Sequence, residues 1–151
     1  MTDFDPDHDP AAETALSEQW RALLARHATT ACAIDRELGE AFGLGVSEFE
    51  LLERLREFEQ EKPGGGERAQ TLAGTVHLSQ SAFSRLVARM EKAGLVRRTH
   101  CVDDRRGIYI ALTDEGRERH RRARPVHRRI LAETLGPESP ERPERPERPE
   151  D

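Results

Sequence analysis

Gln80, Ser81, Ser84 and Arg85 bring four hydrogen-bonding side chains of moderate length into six residues. On a helix they gather near its N-terminal end. They face away from Phe83, Leu86, Val87 and Met90, which fall at i, i+3, i+4 and i+7. Groups of this kind suit the edges of bases in the DNA major groove. Glutamine pairs with adenine, arginine with guanine and serine with either, each good contact discriminating by ~1–3 kcal/mol. Taken alone, the same face also fits the solvated side of an ordinary helical hairpin.

The surrounding elements must hold that face outward. Ser79 is a good N-cap, its hydroxyl able to accept from a free amide of the first turn, and Gly94 closes the helix as its C′ residue. A short helix over about Glu67 to Val76 offers Leu72, Ala73 and Val76 as the apolar support. Beyond Gly94, Leu95–Thr99 and Ile108–Leu112 read as strands around the polar tip Asp103-Asp104-Arg105-Arg106-Gly107, giving a β-hairpin wing. Arg105 and Arg106 at that tip suit an adjacent minor groove, with Asp104 able to orient one of them. Arg89, Arg97 and Arg98 are better placed for phosphates.

On either side of this unit lie longer helical patterns. Residues 1–13, rich in Asp and Pro, read as a disordered acidic arm. From Ala15 to about Phe42, the residues Leu16, Trp20, Leu23, Leu24, His27, Ala31, Ile34, Leu38 and Ala41 keep the helical period, a stripe long for one short partner. Trp20 reads as a core or interface anchor, or as the wall of a ligand pocket. Ser47 with Glu50 suggests a capping box for a second helix carrying Phe49, Leu51, Leu52, Leu55 and Phe58, which ends at the linker Lys62–Gly66. Thr113 with Asp114 and Glu115 starts another helix, whose arginines read partly as a solvated face and partly as phosphate contacts. Pro125 predicts a kink or two pieces. Val126, Ile130, Leu131, Thr134 and Leu135 form its apolar side, and residues 137–151, with three Glu-Arg-Pro triplets, read as a disordered tail.

The net charge of −5 is unevenly placed. Residues 68–124 hold thirteen Lys and Arg against six acids, while residues 1–62 hold fifteen acids against six bases. The basic block coincides with the helical hairpin and wing, the electrostatic footprint of a nucleic-acid binder. With 35% hydrophobic residues in 151, the core is lean for a monomer and suits completion by a second subunit. No phosphate loop, nucleophile elbow or paired-histidine metal motif appears, so the reading is neither an enzyme nor a cofactor protein. No apolar run reaches signal-peptide or membrane length, which predicts a soluble cytoplasmic protein with no membrane partner. Cys32 and Cys101 are too few for a disulfide framework.

Ser79–Val87, Met90–Arg98 and Asp103–Arg117 together resemble the MarR family of winged-helix regulators, without a gap from about Leu72 to about Leu135. That resemblance implies a mainly α, α+β winged helix-turn-helix domain over 14–136. Its DNA-binding lobe would span about 47–112, between dimerisation helices at about 15–42 and 113–135. It implies a homodimer on palindromic operators of double-stranded DNA, more often a repressor than an activator, released by a small-molecule effector or by oxidation. The effector cleft would be lined by Trp20, His27, Phe49 and Leu52, which are equally good core residues. Some relatives sense peroxide through a thiolate near the first helix. Cys32, with Arg36 one turn on, and Cys101 at the wing are the residues to weigh, against the commoner inert buried cysteine. Zinc-sensing relatives also exist, but His27, His77, His100, His120 and His127 are scattered. The family's usual further C-terminal helix has no counterpart before the tail, so the first helix and the one after the wing must carry the dimer interface. A winged helix used only for protein contacts is the rival reading.

Overall fold

The computed structural model describes residues 9–100 and 106–137. The acidic residues 1–8, the wing tip at 101–105 and the Glu-Arg-Pro tail lie outside them. The element order is α1 (Pro10–Phe42), α2 (Val46–Glu61), β1 (Glu67–Arg68), α3 (Ala69–Thr75), α4 (Gln80–Lys92), β2 (Val96–Thr99), β3 (Tyr109–Leu112) and α5 (Asp114–Leu135). This is the mainly helical winged-helix arrangement expected, with departures that have local causes.

The first helix begins four residues inside the stretch expected to be an unstructured arm. Asp9 caps it, Oδ1 accepting the Ala11 amide at 3.0 Å, and Pro10 supplies a φ already suited to a first turn. The second helix is not capped by Ser47 and Glu50. It starts at Val46, because Glu48 accepts the Gly45 amide at 3.1 Å and Asp35 of α1 accepts the Val46 amide at 2.9 Å. Glu67 and Arg68 are extended rather than helical. They pair with Ile110 and Tyr109, making a three-stranded sheet of order β1-β3-β2. In the wing, Val96 faces Leu112 and Thr99 faces Tyr109 in antiparallel register.

At the end of α4, Gly94 takes φ +74, and the amides of Gly94 and Leu95 bond the carbonyls of Glu91 and Met90. This pattern turns the chain sharply into β2. The start of α5 locks onto the same corner. Thr113 Oγ1 donates to the Gly94 carbonyl at 2.6 Å and accepts the Gly116 amide at 3.0 Å. Gly116 sits so close that a Cβ there would lie 2.0 Å from the Leu95 carbonyl oxygen. Of the kink or two pieces expected at Pro125, the two pieces are not found: α5 runs through Pro125 as one helix.

The core lies where α2, α4, the sheet, α5 and the last third of α1 meet, with Leu38, Phe49, Leu52, Leu86, Met90, Ile110 and Ile130 all fully buried. Only Thr30, Ile34 and Leu38 of α1 are buried. Its N-terminal half leaves Leu16, Trp20, Leu23 and Leu24 largely exposed on a single chain. No helix among the described residues is long and apolar enough to cross a membrane.

Candidate nucleic-acid interface

The short helix α3, a four-residue turn and α4 form the helical hairpin. His77 in the turn has φ +54, a left-handed conformation uncommon for a residue with a Cβ. Phe83, Leu86, Val87 and Met90 are buried, and Ser79, Gln80, Ser81, Ser84 and Arg85 are all exposed. The sequence pattern therefore divides α4 into the two faces it predicts. Ser79 caps the helix, its hydroxyl accepting the Ala82 amide at 3.2 Å and lying 3.4 Å from Ser81 Oγ. Arg85 has no ion pair or hydrogen bond among the described residues, so its guanidinium is open to a ligand.

The arginines expected at phosphates divide differently. Arg89 donates to Glu48 at 3.1 Å, and Arg98 lies 3.4 Å from Glu91. Arg97, exposed on β2, has no partner among the described residues. Both ion pairs are solvent-exposed and so of the kind worth only ~0–1 kcal/mol, an amount a phosphate contact readily offsets. Arg106 is exposed at the edge of the wing tip. Asp104 and Arg105, and any pairing between them, lie outside the described residues.

Between α2 and α5 the structure assembles a polar cluster that no sequence motif marks. Glu53, His120 and His127 are all buried. The Glu53 carboxylate binds His120 Nε2 through one oxygen and Arg128 through the other, and Arg124 Nε is 3.9 Å from the latter. Phe49 stacks on both imidazoles, with centroids 5.5 Å from His120 and 4.1 Å from His127. Burial pushes the Glu53 pKa up, but the His120 hydrogen bond and the charges of Arg128, His120 and Arg124 hold it below the usual carboxylate value. Burial, reinforced by Arg128, pushes His127 down to about 4, leaving it neutral near pH 7. Glu50, 3.8 Å from His127, is raised by burial. The missed signal is positional. Glu53 follows Phe49 by four, and His120 and His127 share a helical face with Ala123 and Ile130, so all three sit where a core side chain belongs.

The arginines of α5 also make contacts within the protein. Arg117 binds Glu59 at 2.7 Å and Asp114 at 2.7 Å, Arg119 binds Glu115, Arg121 binds Glu118, and Arg122 lies over the Phe42 ring. Although burial pushes Glu59 up, the hydrogen bonds from Arg117 and Arg56 hold it below its ordinary value. A groove of about 860 Å³ runs between the two helices, lined by Glu53, Arg56, Arg117, His120, Arg124 and Arg128 among others.

The four side chains expected to line an effector cleft are not brought together. Phe49 and Leu52 are fully buried in the core, whereas Trp20 and His27 lie on the exposed half of α1. Trp20 is 57% exposed on a single chain, so of the core-or-interface reading the core half fails, because the helix runs past the end of its own core. Cys32 is exposed rather than buried, and its neighbour Arg36 is 3.7 Å from Glu37. Cys101 lies outside the described residues. Among the described residues no three His, Cys, Asp or Glu side chains meet as a metal site requires.

Comparison with known proteins agrees with this geometry. The family model described as MarR matches residues 44–108, from the end of α1 through α2–α4 to the edge of β3. The DNA complex of Sco3205, a MarR family transcriptional regulator from Streptomyces coelicolor, is 32% identical. It superposes with a TM-score of 0.72 over 89% of this chain and 79% of that one. AbsC, a MarR family transcriptional regulator from the same organism, is 30% identical with a TM-score of 0.69, over 89% and 82% of the two chains. The regulator BldR from Sulfolobus solfataricus is 25% identical with a TM-score of 0.68, over 85% and 86%. No curated protein matches by sequence. With 32% identity to Sco3205 over 89% of its length, and the same winged helix, the chain belongs to the MarR family of transcriptional regulators, not to an enzyme family.

Proposed function

We propose that the protein is a sequence-specific DNA-binding transcription regulator, acting as a homodimeric repressor of palindromic operators. One observation carries this reading: α4 exposes Gln80, Ser81, Ser84 and Arg85 over a buried apolar face, on a fold whose relative Sco3205 was solved bound to DNA. Two copies of α4 would enter successive major grooves, ~34–36 Å apart as in other dimeric helix-turn-helix readers. Gln80, Ser81, Ser84 and Arg85 would read bases, Arg105 and Arg106 would reach the flanking minor groove, and Arg97, with Arg98 and Arg89, would meet phosphates. The dimer is supported by the apolar strip Leu16, Trp20, Leu23 and Leu24, a patch that water-exposed monomers seldom carry. Release by a small effector is supported by the groove between α2 and α5, since a ligand there would touch both the DNA-binding lobe and the helix that would link it to the dimer frame. Selection of bound duplexes from a random DNA pool tests the reading: recovered sites should be inverted repeats, and a pool without enrichment would overturn it.

A further inference from the structure

Glu53 ties α2 to three side chains of α5 at once. His120, Arg124 and Arg128 recur every four residues along one edge of α5, spanning about 12 Å at 1.5 Å per residue. Two of these side chains lie before Pro125 and one after it. A proline inside a helix removes the amide that would bond the carbonyl four residues back, so α5 is weakest at this step. The Glu53 carboxylate therefore splints the helix across its softest turn. The apolar contacts of Phe49, Leu52, Ala123 and Ile130 supply burial but no direction. Bonds to one carboxylate are directional, and fixing register is the best-attested use of buried ionic groups.

We propose that Glu53 is a positioning residue: by splinting α5 across Pro125 it fixes the angle between α5 and the winged-helix lobe, and so the distance between the two recognition helices of a dimer. This rests on the dimeric DNA-reading function proposed above. In that assembly α5 links each lobe to the shared frame, so a bend at Pro125 is carried to α4.

The test uses the full-length protein and its Glu53→Leu, Glu53→Gln and Arg128→Met variants. Each is measured for melting temperature, sedimentation and affinity to duplexes carrying the selected half-sites at their preferred separation and at separations one and two base pairs longer or shorter. The wild type should lose at least tenfold in affinity for a one-base-pair change. Glu53→Leu should keep the half-site sequence preference and the dimer, while its spacing penalty falls below threefold. Glu53→Gln, whose single carbonyl oxygen can accept from only one of His120 and Arg128, should fall between. Arg128→Met removes a tie from the groove's open side and loosens spacing even if Glu53→Leu does not fold. A folded Glu53→Leu with the wild-type spacing penalty overturns the proposal, as does a strict Arg128→Met where Glu53→Leu is unfolded. A wild-type protein indifferent to spacing would remove the dimeric reading as well, whereas strictness in wild type and variants alike removes the splint alone.

Discussion

Arg85 and Arg97 separate the two kinds of work that a DNA-reading surface does. Arg85 stands on the exposed face of α4 with no partner among the described residues, so it can meet a base edge without first breaking a bond. Arg97 stands exposed on β2 of the wing, where in the proposed complex it would meet a phosphate. Arg85→Ala should relax preference at one position of the site by ~1–3 kcal/mol. Arg97→Ala should weaken all sequences alike and lower the salt slope by about one. Binding curves on matched and mismatched duplexes at several salt concentrations distinguish them, and equal losses from both changes on every sequence would contradict the division. Gly116 presents a different constraint. A methyl there would overlap the Leu95 carbonyl, so Gly116→Ala must move α5 off the corner where Gly94 and Thr113 hold it. The expected loss lies at the upper end of the ~1–3 kcal/mol range for overpacking, read as a lower urea midpoint with an unchanged m-value.

At the scale of elements, the contact between α2 and α5 gives the fold a pH dependence. His127 is held neutral, with a folded pKa near 4 against 6.5 for an ordinary imidazole. Between those values the unfolded chain binds the proton that the folded one refuses, so stability is present above pH 6.5 and is lost as pH falls toward 4. Glu53 and Glu59 act lower: their folded pKa values lie below 4.5, and their contribution disappears only beneath that. Chemical unfolding at pH 7.0 and 4.5 should therefore differ by up to about 2 kcal/mol. His127→Phe, which preserves the stack on Phe49, should reduce that difference; an unchanged difference would show that His127 is not its source. The same contact marks what could be read from the chain. Amphipathic α4, the Gly94 turn and the hairpin were legible because a local pattern determines each. The pairing of Glu67 and Arg68 with β3 was not, since only a strand forty residues later overrides the helical reading. Nor was the Glu53 cluster, because its members lie on two helices and take positions that a pattern search assigns to apolar side chains. The cap of α2 was missed for a similar reason, as Asp35 reaches it from α1.

For the whole molecule, the unsatisfied surface is on α1. Leu38 sits in the core, and Trp20 lies eighteen residues earlier, about 27 Å back along the helix. The 33-residue helix reaches far beyond the described core with Leu16, Trp20, Leu23 and Leu24 outward, the strip on which the proposed dimer rests. The charge distribution points the same way. Asp9, Glu13, Glu18, Asp35, Glu37 and Glu40, on or capping α1, would sit with the frame, while Arg85, Arg89, Arg97 and Arg98 would face the duplex. Leu23→Glu places a charge in the middle of the strip. It should yield a folded monomer by sedimentation, because Leu23 contributes nothing to the core of its own chain. Each lobe would then bind alone, and loss of the second, linked contact should lower operator affinity by roughly 10²–10⁴-fold while leaving the weak affinity for a single half-site in place. The melting temperature of the wild type should rise with protein concentration, and that of Leu23→Glu should not. A wild-type protein that sediments as a monomer at every concentration, or a Leu23→Glu variant that still binds the full operator as tightly, would mean that α1 is not the frame on which the two reading heads are mounted.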